Sequence, residues 1–232
     1  MGTQTESYPV DPRNFESLLT VLKTIKQLGF EGFETSFVNV RDQFEHRNEP
    51  YDRLKKTGLK FVGIHVALAT YDPQTGIPRW DLLQQVANGC KALGAERLIV
   101  SGGSTVHPLA LRAKADALTR IAKYCKSVGV GCTYYNHEVE FREKGAQIDG
   151  LISQTDASVH YFLDAQQAMS AGANAAEFFA RNWRRIDAIR LRAFRPGGAG
   201  SDPDAALHEG GNEFAPLAKE IQASGWRGWL MS

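Results

Sequence analysis

The feature that most constrains the fold of this chain is a repeated transition, in which an amphipathic helix ends at a glycine and an apolar strand follows. Five glycines stand at such transitions: Gly29, Gly58, Gly94, Gly129 and Gly225. Glycine can end a helix in the left-handed conformation without the steric penalty of a Cβ atom. The strands that follow are short apolar runs, which suit a parallel sheet buried on both faces. The pattern therefore predicts alternating helices and parallel strands.

The spacing of these transitions predicts the number of strands. Three of the glycines lie about 35 residues apart, the length of one βα unit. Two further strands, "VHYFLD" at 159–164 and "IDAIRL" at 186–191, fit before the last glycine. With "GTQTES" as the first strand, eight strands and about seven helices predict a single (β/α)8 TIM barrel over residues 1–232. The last strand runs to Ser232, so the sequence leaves open whether the last strand and helix are complete.

A doubly wound open sheet is the alternative architecture for the same alternation. That fold usually has a glycine-rich phosphate loop after its first strand, whereas here the first strand leads into "YPVDPRNF". The pair of glycines in "SGGS" after the fourth strand fits a tight turn better than a phosphate cradle. The barrel is therefore the preferred interpretation.

Composition argues against several kinds of partner. A formal net charge of +1 provides no large field to attract nucleic acid or an acidic membrane. No apolar run reaches the roughly 20 residues that span a bilayer. Cys90, Cys125 and Cys132 form no CxxC pair, which argues against a disulfide framework or a structural zinc site. We therefore expect a cytoplasmic protein with neither nucleic-acid nor membrane partners.

Polar residues collect at the carboxyl ends of the predicted strands, where a barrel of this kind carries its chemistry. The decapeptide "CTYYNHEVEF" ends the fifth strand with Asn136, His137 and Glu140. Glu34 ends the second strand, and we assign it no role. The other candidates come from further strand ends and from one glycine-rich segment: His65, Asp164, Arg190, Arg192 and His208.

Several of these residues also have an ordinary structural interpretation. His65 fits a hydrogen-bonded core histidine, and Asp164 fits the N-cap of the following helix. Asn136 and His137 fit a strand cap, and Glu140 fits a solvated loop carboxylate.

Arg190 and Arg192 alternate with Leu191, so both point to one face of the seventh strand. Two arginines in a barrel interior are costly unless they are paired or bind a ligand. This cost favours a role in the site over placement on the surface.

Five segments occur in an informative order: "GFEGFE", "GIHVAL", "YYNHEVEF", "YFLDAQQAMSAG" and "HEGGNEFAPLAKEIQASGWRGWL". Together they resemble the sugar phosphate isomerase/epimerase superfamily, the xylose isomerase-like barrel of the AP endonuclease 2 type. "YYNHEVEF" is similar to the YHNHxxEF signature of one branch. The resemblance extends over nearly the whole chain and implies the barrel fold.

The resemblance also implies chemistry at the barrel mouth. It implies a divalent metal (Mn²⁺, Mg²⁺ or Zn²⁺) and carboxylates that move a proton next to the carbonyl of a sugar or sugar derivative, through an enediolate. We accordingly predict that Glu140, Asp164 and His137 are catalytic, with Asp164 also a metal ligand. The predicted contacts to a sugar or sugar-acid ligand are His65, Asn136, Arg190, Arg192 and His208.

The chain departs from the ligand set that the resemblance implies. Asp164 matches the ligand on the sixth strand, but Tyr135 and Arg190 stand where ligands are expected on the fifth and seventh strands. The last ligand would fall at or beyond Ser232. A guanidinium group has no free lone pair and stays charged, so Arg190 cannot bind a cation. We hypothesise that Arg190 replaces the metal electrostatically, pairs with a carboxylate, or binds an acidic group of the ligand.

Three functions remain open from the sequence. The first is a sugar isomerase or epimerase, and the second is a catalytically degenerate barrel that binds a sugar-like or acidic ligand without turnover. The third, a DNA-repair endonuclease of the endonuclease IV type, needs several metals and a basic groove, which the sequence does not provide. Similar barrels commonly pair, so a homodimer is also left open.

Overall fold

The computed structural model describes residues 1–46, 48–68, 79–102, 107–192 and 213–232. Its eight strands pair in sequence order, all in parallel, and the sheet closes because β1 also pairs with β8. The strands are β1 (Gly2–Gln4), β2 (Gly32–Ser36), β3 (Lys60–Leu68), β4 (Arg97–Gly102), β5 (Gly131–Tyr135), β6 (Val159–Asp164), β7 (Ile186–Arg190) and β8 (Trp229–Met231). The predicted (β/α)8 barrel is confirmed, and closure excludes the open sheet.

Helices cover the outside of the barrel. In the described part of the chain they are α1 (Phe15–Gln27), α2 (Glu49–Lys56), α3 (Trp80–Leu93), α4 (Pro108–Val128), α5 (Glu138–Gln154), α6 (Ala165–Ser170), α7 (Ala175–Asn182) and α8 (Ala215–Ser224). The backbone of α5 leaves the helical conformation at residues 142–145. No helix in the described ranges combines the length and the apolar character that crossing a bilayer requires.

The first helix illustrates why these segments are helical. Asn14 caps it, because its side-chain oxygen accepts a hydrogen bond of 3.1 Å from the backbone N–H of Glu16. Its buried residues repeat at a spacing of three to four and face the barrel: Leu18, Val21, Leu22 and Ile25. The five glycines of the repeated transition all have φ between 68° and 88°, as the predicted left-handed helix ends require.

Two apolar cores support the site. One lies between the helices and the sheet, and the other fills the barrel interior with Val62, Ile99, Tyr135, Phe162, Ala188 and Met231. Because side chains alternate along a strand, residues two positions further on point inward again. Phe162 is therefore followed on the inside by Asp164, and Ala188 by Arg190. The inner core thus forms the floor of a polar layer at the carboxyl ends of the strands.

Predicted boundaries differ from the structure at four strands, one of which is the last strand, ending at Met231 and not at Ser232. The second strand does not end at Glu34 but continues to Ser36. The first strand is shorter than predicted, because residues 5–7 form a 3-10 turn. The seventh strand ends at Arg190, one residue early. The last strand, whose completeness the sequence left open, pairs with β7 and with β1.

Candidate active site

Buried polar side chains form a layer at the carboxyl ends of the barrel strands. The layer contains Gln4, Glu34, His65, Ser101, Tyr135, Asp164 and Arg190, and none of these residues is more than 8% exposed. Burying a polar group costs free energy unless the group is hydrogen-bonded, so the hydrogen-bond partners of these residues show how the layer is held together.

Asp164 is the most connected member of the layer. Its Oδ1 accepts a hydrogen bond of 3.0 Å from the backbone N–H of Gln167 and caps α6. Its Oδ2 accepts one from the hydroxyl of Tyr135 and another, at 2.8 Å, from Nη2 of Arg192. The helix-cap interpretation is therefore confirmed through Oδ1, while Oδ2 faces the polar layer and leaves the predicted site role open to Asp164.

Asn136 fixes the backbone of Asp164. Its Oδ1 accepts from the backbone N–H of Asp164 at 3.0 Å, and its Nδ2 donates to the carbonyl oxygen of Asp164 at 3.4 Å. Both ends of the amide are thus used to join β5 to β6, and the residue is buried. This arrangement favours positioning of Asp164 over the predicted direct contact with a ligand.

Arg190 lies next to Asp164 in the register of the sheet. Its Nη1 donates to the hydroxyl oxygen of Tyr135 at 3.3 Å, and its Nε is buried without an acceptor among the described residues. Burial and the charge of Asp164 raise the pKa of Tyr135, so the phenol stays protonated and can donate. The result is a fixed positive charge beside a phenol that keeps its proton and donates it to Asp164.

A second hydrogen-bonded chain runs across the neighbouring strands. Oε1 of Glu34 accepts from Nε2 of Gln4 at 3.0 Å and lies 3.4 Å from Nδ1 of His65. Nε2 of His65 is 2.7 Å from Oγ of Ser101. The His65 ring lies 5.4 Å from the Tyr135 ring, measured between centroids, which links this chain to the Asp164 cluster.

Burial shifts both titratable groups of this chain. It raises the pKa of Glu34 to about 7, although the hydrogen bond from Gln4 and the charge of Arg190 oppose the shift. It also lowers the pKa of His65 to about 3, with further lowering by the charges of His137 and Arg190. At neutral pH His65 is therefore uncharged, and Glu34 exchanges between its two protonation states.

Glu140 lies outside this layer. Its Oε1 accepts from the Tyr134 hydroxyl at 2.5 Å and from Nζ of Lys114 at 3.4 Å, and its Oε2 accepts from the backbone N–H of His137 at 2.7 Å. Tyr134 belongs to the core between sheet and helices, whereas Tyr135 belongs to the barrel interior. The interpretation of Glu140 as a solvated loop carboxylate is wrong, because the residue is only 1% exposed.

His137 is half-buried at the start of α5, and its ring lies 5.5 Å from the Tyr135 ring, centroid to centroid. The structure thus brings His65, Asn136, His137, Asp164 and the two arginines around Tyr135. His208 lies outside the described residues.

Sequence reasoning gave no role to Glu34, Ser101 or Tyr135, although each ends or nearly ends a strand. For Glu34 the missed signal is a charged residue between Phe33 and Thr35 in an otherwise buried strand. In an apolar strand, an acid at an inward position is costly and thus points to a function.

The donor set does not fit a divalent metal in the implied geometry. Among the described residues, no group of three or more His, Cys, Asp or Glu side chains is arranged to hold an ion. Oδ2 of Asp164 is already engaged by Tyr135 and Arg192. The guanidinium group of Arg190, beside Asp164 in the sheet, would repel a cation.

Comparison with known proteins gives consistent results. A family model described as a xylose isomerase-like TIM barrel matches residues 22–232. The rhizopine catabolism protein MocC of Rhizobium meliloti is 27% identical over 129 residues, covering 49% of this chain and 39% of that protein. An inosose dehydratase of Clostridium botulinum is 24% identical over 132 residues, covering 50% and 44%. The chain thus spans less than half the length of these relatives.

A solved structure of a sugar phosphate isomerase/epimerase from Parabacteroides distasonis matches this chain with a TM-score of 0.75. The match covers 100% of this chain and 85% of that one, at 16% sequence identity. At such low identity the likeness establishes the fold alone.

Proposed function

The chain belongs to the xylose isomerase-like TIM barrel family, and from this premise we propose that it moves a proton next to the carbonyl of a sugar or sugar derivative. One observation carries the proposal. The same buried layer contains an acid with a pKa near neutrality, Glu34, and a group of fixed hydrogen-bond donors around Tyr135 and Arg190. A proton abstraction that forms an enediolate needs both a base and a group that stabilises negative charge.

The donors stabilise the oxygen on which negative charge develops. Arg190 supplies a charge that cannot be lost. Tyr135 donates its one hydroxyl proton to Asp164 and accepts from Nη1 of Arg190, so it fixes the guanidinium group in place. Asp164 orients Tyr135 and Arg192 through the hydrogen bonds to its Oδ2. Because the donor set does not fit a metal, these side chains take the electrostatic role in the proposed reaction.

Glu34 is the proposed base, because an acid with a pKa of about 7 can both accept and return a proton at neutral pH. The hydrogen bond between Ser101 and neutral His65 fixes the imidazole ring beside the carboxylate of Glu34. His137, half-buried beside Tyr135, is the proposed second group for proton transfer. Glu140 is proposed to act indirectly, by fixing the backbone of His137.

Exchange with solvent tests the proposal. The protein is incubated in D₂O with a panel of ketoses and keto-cyclitols, and loss of the proton next to the carbonyl is followed by NMR. The variants Glu34→Gln and Asp164→Asn should lose exchange by a factor of about 10² to 10⁴. Asp116→Asn, which changes an exposed acid on α4, serves as the matched control and should exchange like the wild type.

Exchange that is unchanged in folded Glu34→Gln would remove Glu34 from the reaction. Binding of the panel without any exchange would instead favour the second candidate function, a barrel that binds a sugar-like or acidic ligand without turnover. The observation that favours this alternative is the mismatch between the donor set and the metal that the family resemblance implies.

A further inference from the structure

We infer that the ligand of this site carries a carboxylate, and that this carboxylate binds the edge of Arg190 formed by Nε and Nη2. The inference rests on the proposed function, since it names the substrate class of the same site.

The first step is the state of the Arg190 side chain. The residue is 6% exposed, yet the hydrogen bond from Nη1 to Tyr135 is its single side-chain hydrogen bond within the described part of the chain. Nε is buried and has no acceptor there. A buried charge with unsatisfied donors is costly, because it has lost its hydration and gained too few partners. The buried N–H of Arg190 Nε is therefore available to a hydrogen-bond acceptor on a ligand.

The second step is that neither acid of the layer forms an ion pair with Arg190, although the charges of both act on it at longer range. The carboxylate of Asp164 forms its ion pair with Arg192, and Glu34 contacts Gln4 and His65. No ion pair between described residues includes Arg190. The raised pKa of Glu34 reduces its negative charge further at neutral pH. The two arginines and Asp164 thus leave an excess of positive charge, which an anionic ligand group would neutralise.

The third step is the shape of the free edge. Tyr135 engages one N–H of Nη1, and the edge formed by Nε and Nη2 makes no hydrogen bond within the described part of the chain. Parallel N–H groups on one guanidinium edge match the two oxygens of a carboxylate. The buried Nε of Arg192, which also has no acceptor among the described residues, provides one more donor for a ligand oxygen.

Matched ligands test the inference by a readout that does not need turnover. D-Glucuronate is compared with D-glucose, and D-gluconate with D-glucitol, by thermal shift and titration calorimetry. We expect the acids to raise Tm and the neutral partners to leave it unchanged. Dissociation constants for the acids should rise about 10- to 100-fold in Arg190→Gln. Arg190→Lys keeps the charge but loses the paired geometry, and should fall between the two.

Arg112→Gln, which removes an exposed arginine from α4, is the matched control and should bind like the wild type. Circular dichroism shows whether each variant is folded. The comparison of acids with neutral sugars on the wild type tests the inference even if Arg190→Gln does not fold.

Three results would overturn the inference: equal binding of acids and neutral sugars, no binding of either acid, or tighter binding of inorganic phosphate or D-glucose 6-phosphate than of the acids. Proton exchange on neutral ketoses, with no tighter binding of acids, would contradict the inference and support the proposed function. Binding of acids without proton exchange would support the inference and contradict the proposed function.

Discussion

Replacing Glu34 with glutamine removes a buried acid whose protonation is linked to folding. Burial raises the pKa of Glu34 from 4.5 to about 7 in the folded chain. The folded state therefore binds this proton more tightly than the unfolded state does. By linkage, the stability contributed by Glu34 is fully present below about pH 4.5 and is lost as the pH rises to about 7. Glutamine keeps the shape of the side chain and can still accept from Gln4, but it does not titrate.

The magnitude follows from the difference between the two pKa values, which is about 2.5 pH units at about 1.36 kcal/mol per unit. The full loss is therefore about 3 kcal/mol. Part of the titration lies at low pH, so the linkage relation gives a loss of about 2 kcal/mol between about pH 5.5 and about pH 8.5. His65 titrates in both proteins, so its lowered pKa largely cancels when the variant is compared with the wild type.

Urea denaturation at several pH values measures the effect. The free energy of unfolding of the wild type, minus that of Glu34→Gln, should fall by about 2 kcal/mol between about pH 5.5 and about pH 8.5. Glu45→Gln, which changes an exposed acid, is the matched control. A difference that stays constant over this range would refute the raised pKa, and with it the assignment of Glu34 as the base.

Three further predictions concern other parts of the site. Lys114→Met leaves Glu140 as an unpaired buried charge and should lower the free energy of unfolding by about 3 to 5 kcal/mol, whereas adding Glu140→Gln should restore most of it. Gly102→Ala should destabilise by about 2 kcal/mol or more in urea denaturation, because φ is +90° and a Cβ would lie 2.3 Å from the carbonyl oxygen of Leu68. Tyr135→Phe should slow solvent exchange about 10²-fold without loss of fold, since it removes the hydroxyl that positions Asp164 and the guanidinium group of Arg190.

The fold was predictable because its signals are local and repeated. The sixth strand, predicted at 159–164, has the observed bounds, since a short segment rich in β-branched and aromatic residues lies between the polar stretch that ends at Ser158 and the helix that Asp164 caps. The second strand was ended too early at Glu34, because a charge within an apolar run resembles the end of a strand. In a closed barrel the inward face near the carboxyl ends is polar, so the strand continues to Ser36.

The site was predictable only in part. Asp164 and Arg190 follow from the rule that chemistry collects at the strand ends, and the register places them side by side. The contacts of Glu34 and Ser101 with His65 depend on the register between β2, β3 and β4, which no short segment encodes. The position of Glu140 depends on which of two adjacent tyrosines points outward, and this choice is made by the register of β5.

The raised pKa of Glu34 and the open edge of Arg190 are coupled through charge. At present the charge of Arg190 lowers the pKa of Glu34 and partly offsets burial. A carboxylate bound to Arg190 would neutralise that charge and add a negative charge nearby, and both effects raise the pKa of Glu34. Binding of a carboxylate ligand should therefore increase the protonated fraction of Glu34.

The proton can be counted. Near neutral pH about half of Glu34 is ionised before binding, so binding of D-glucuronate should take up as much as about half a proton. Calorimetry at one pH, in buffers with different ionisation enthalpies, measures this uptake, and Glu34→Gln should abolish it while still binding the acid. Binding enthalpies of the wild type that do not depend on the buffer would mean that Glu34 and Arg190 are not electrostatically coupled. The base and the proposed anion-binding group would then have to belong to separate parts of the barrel mouth.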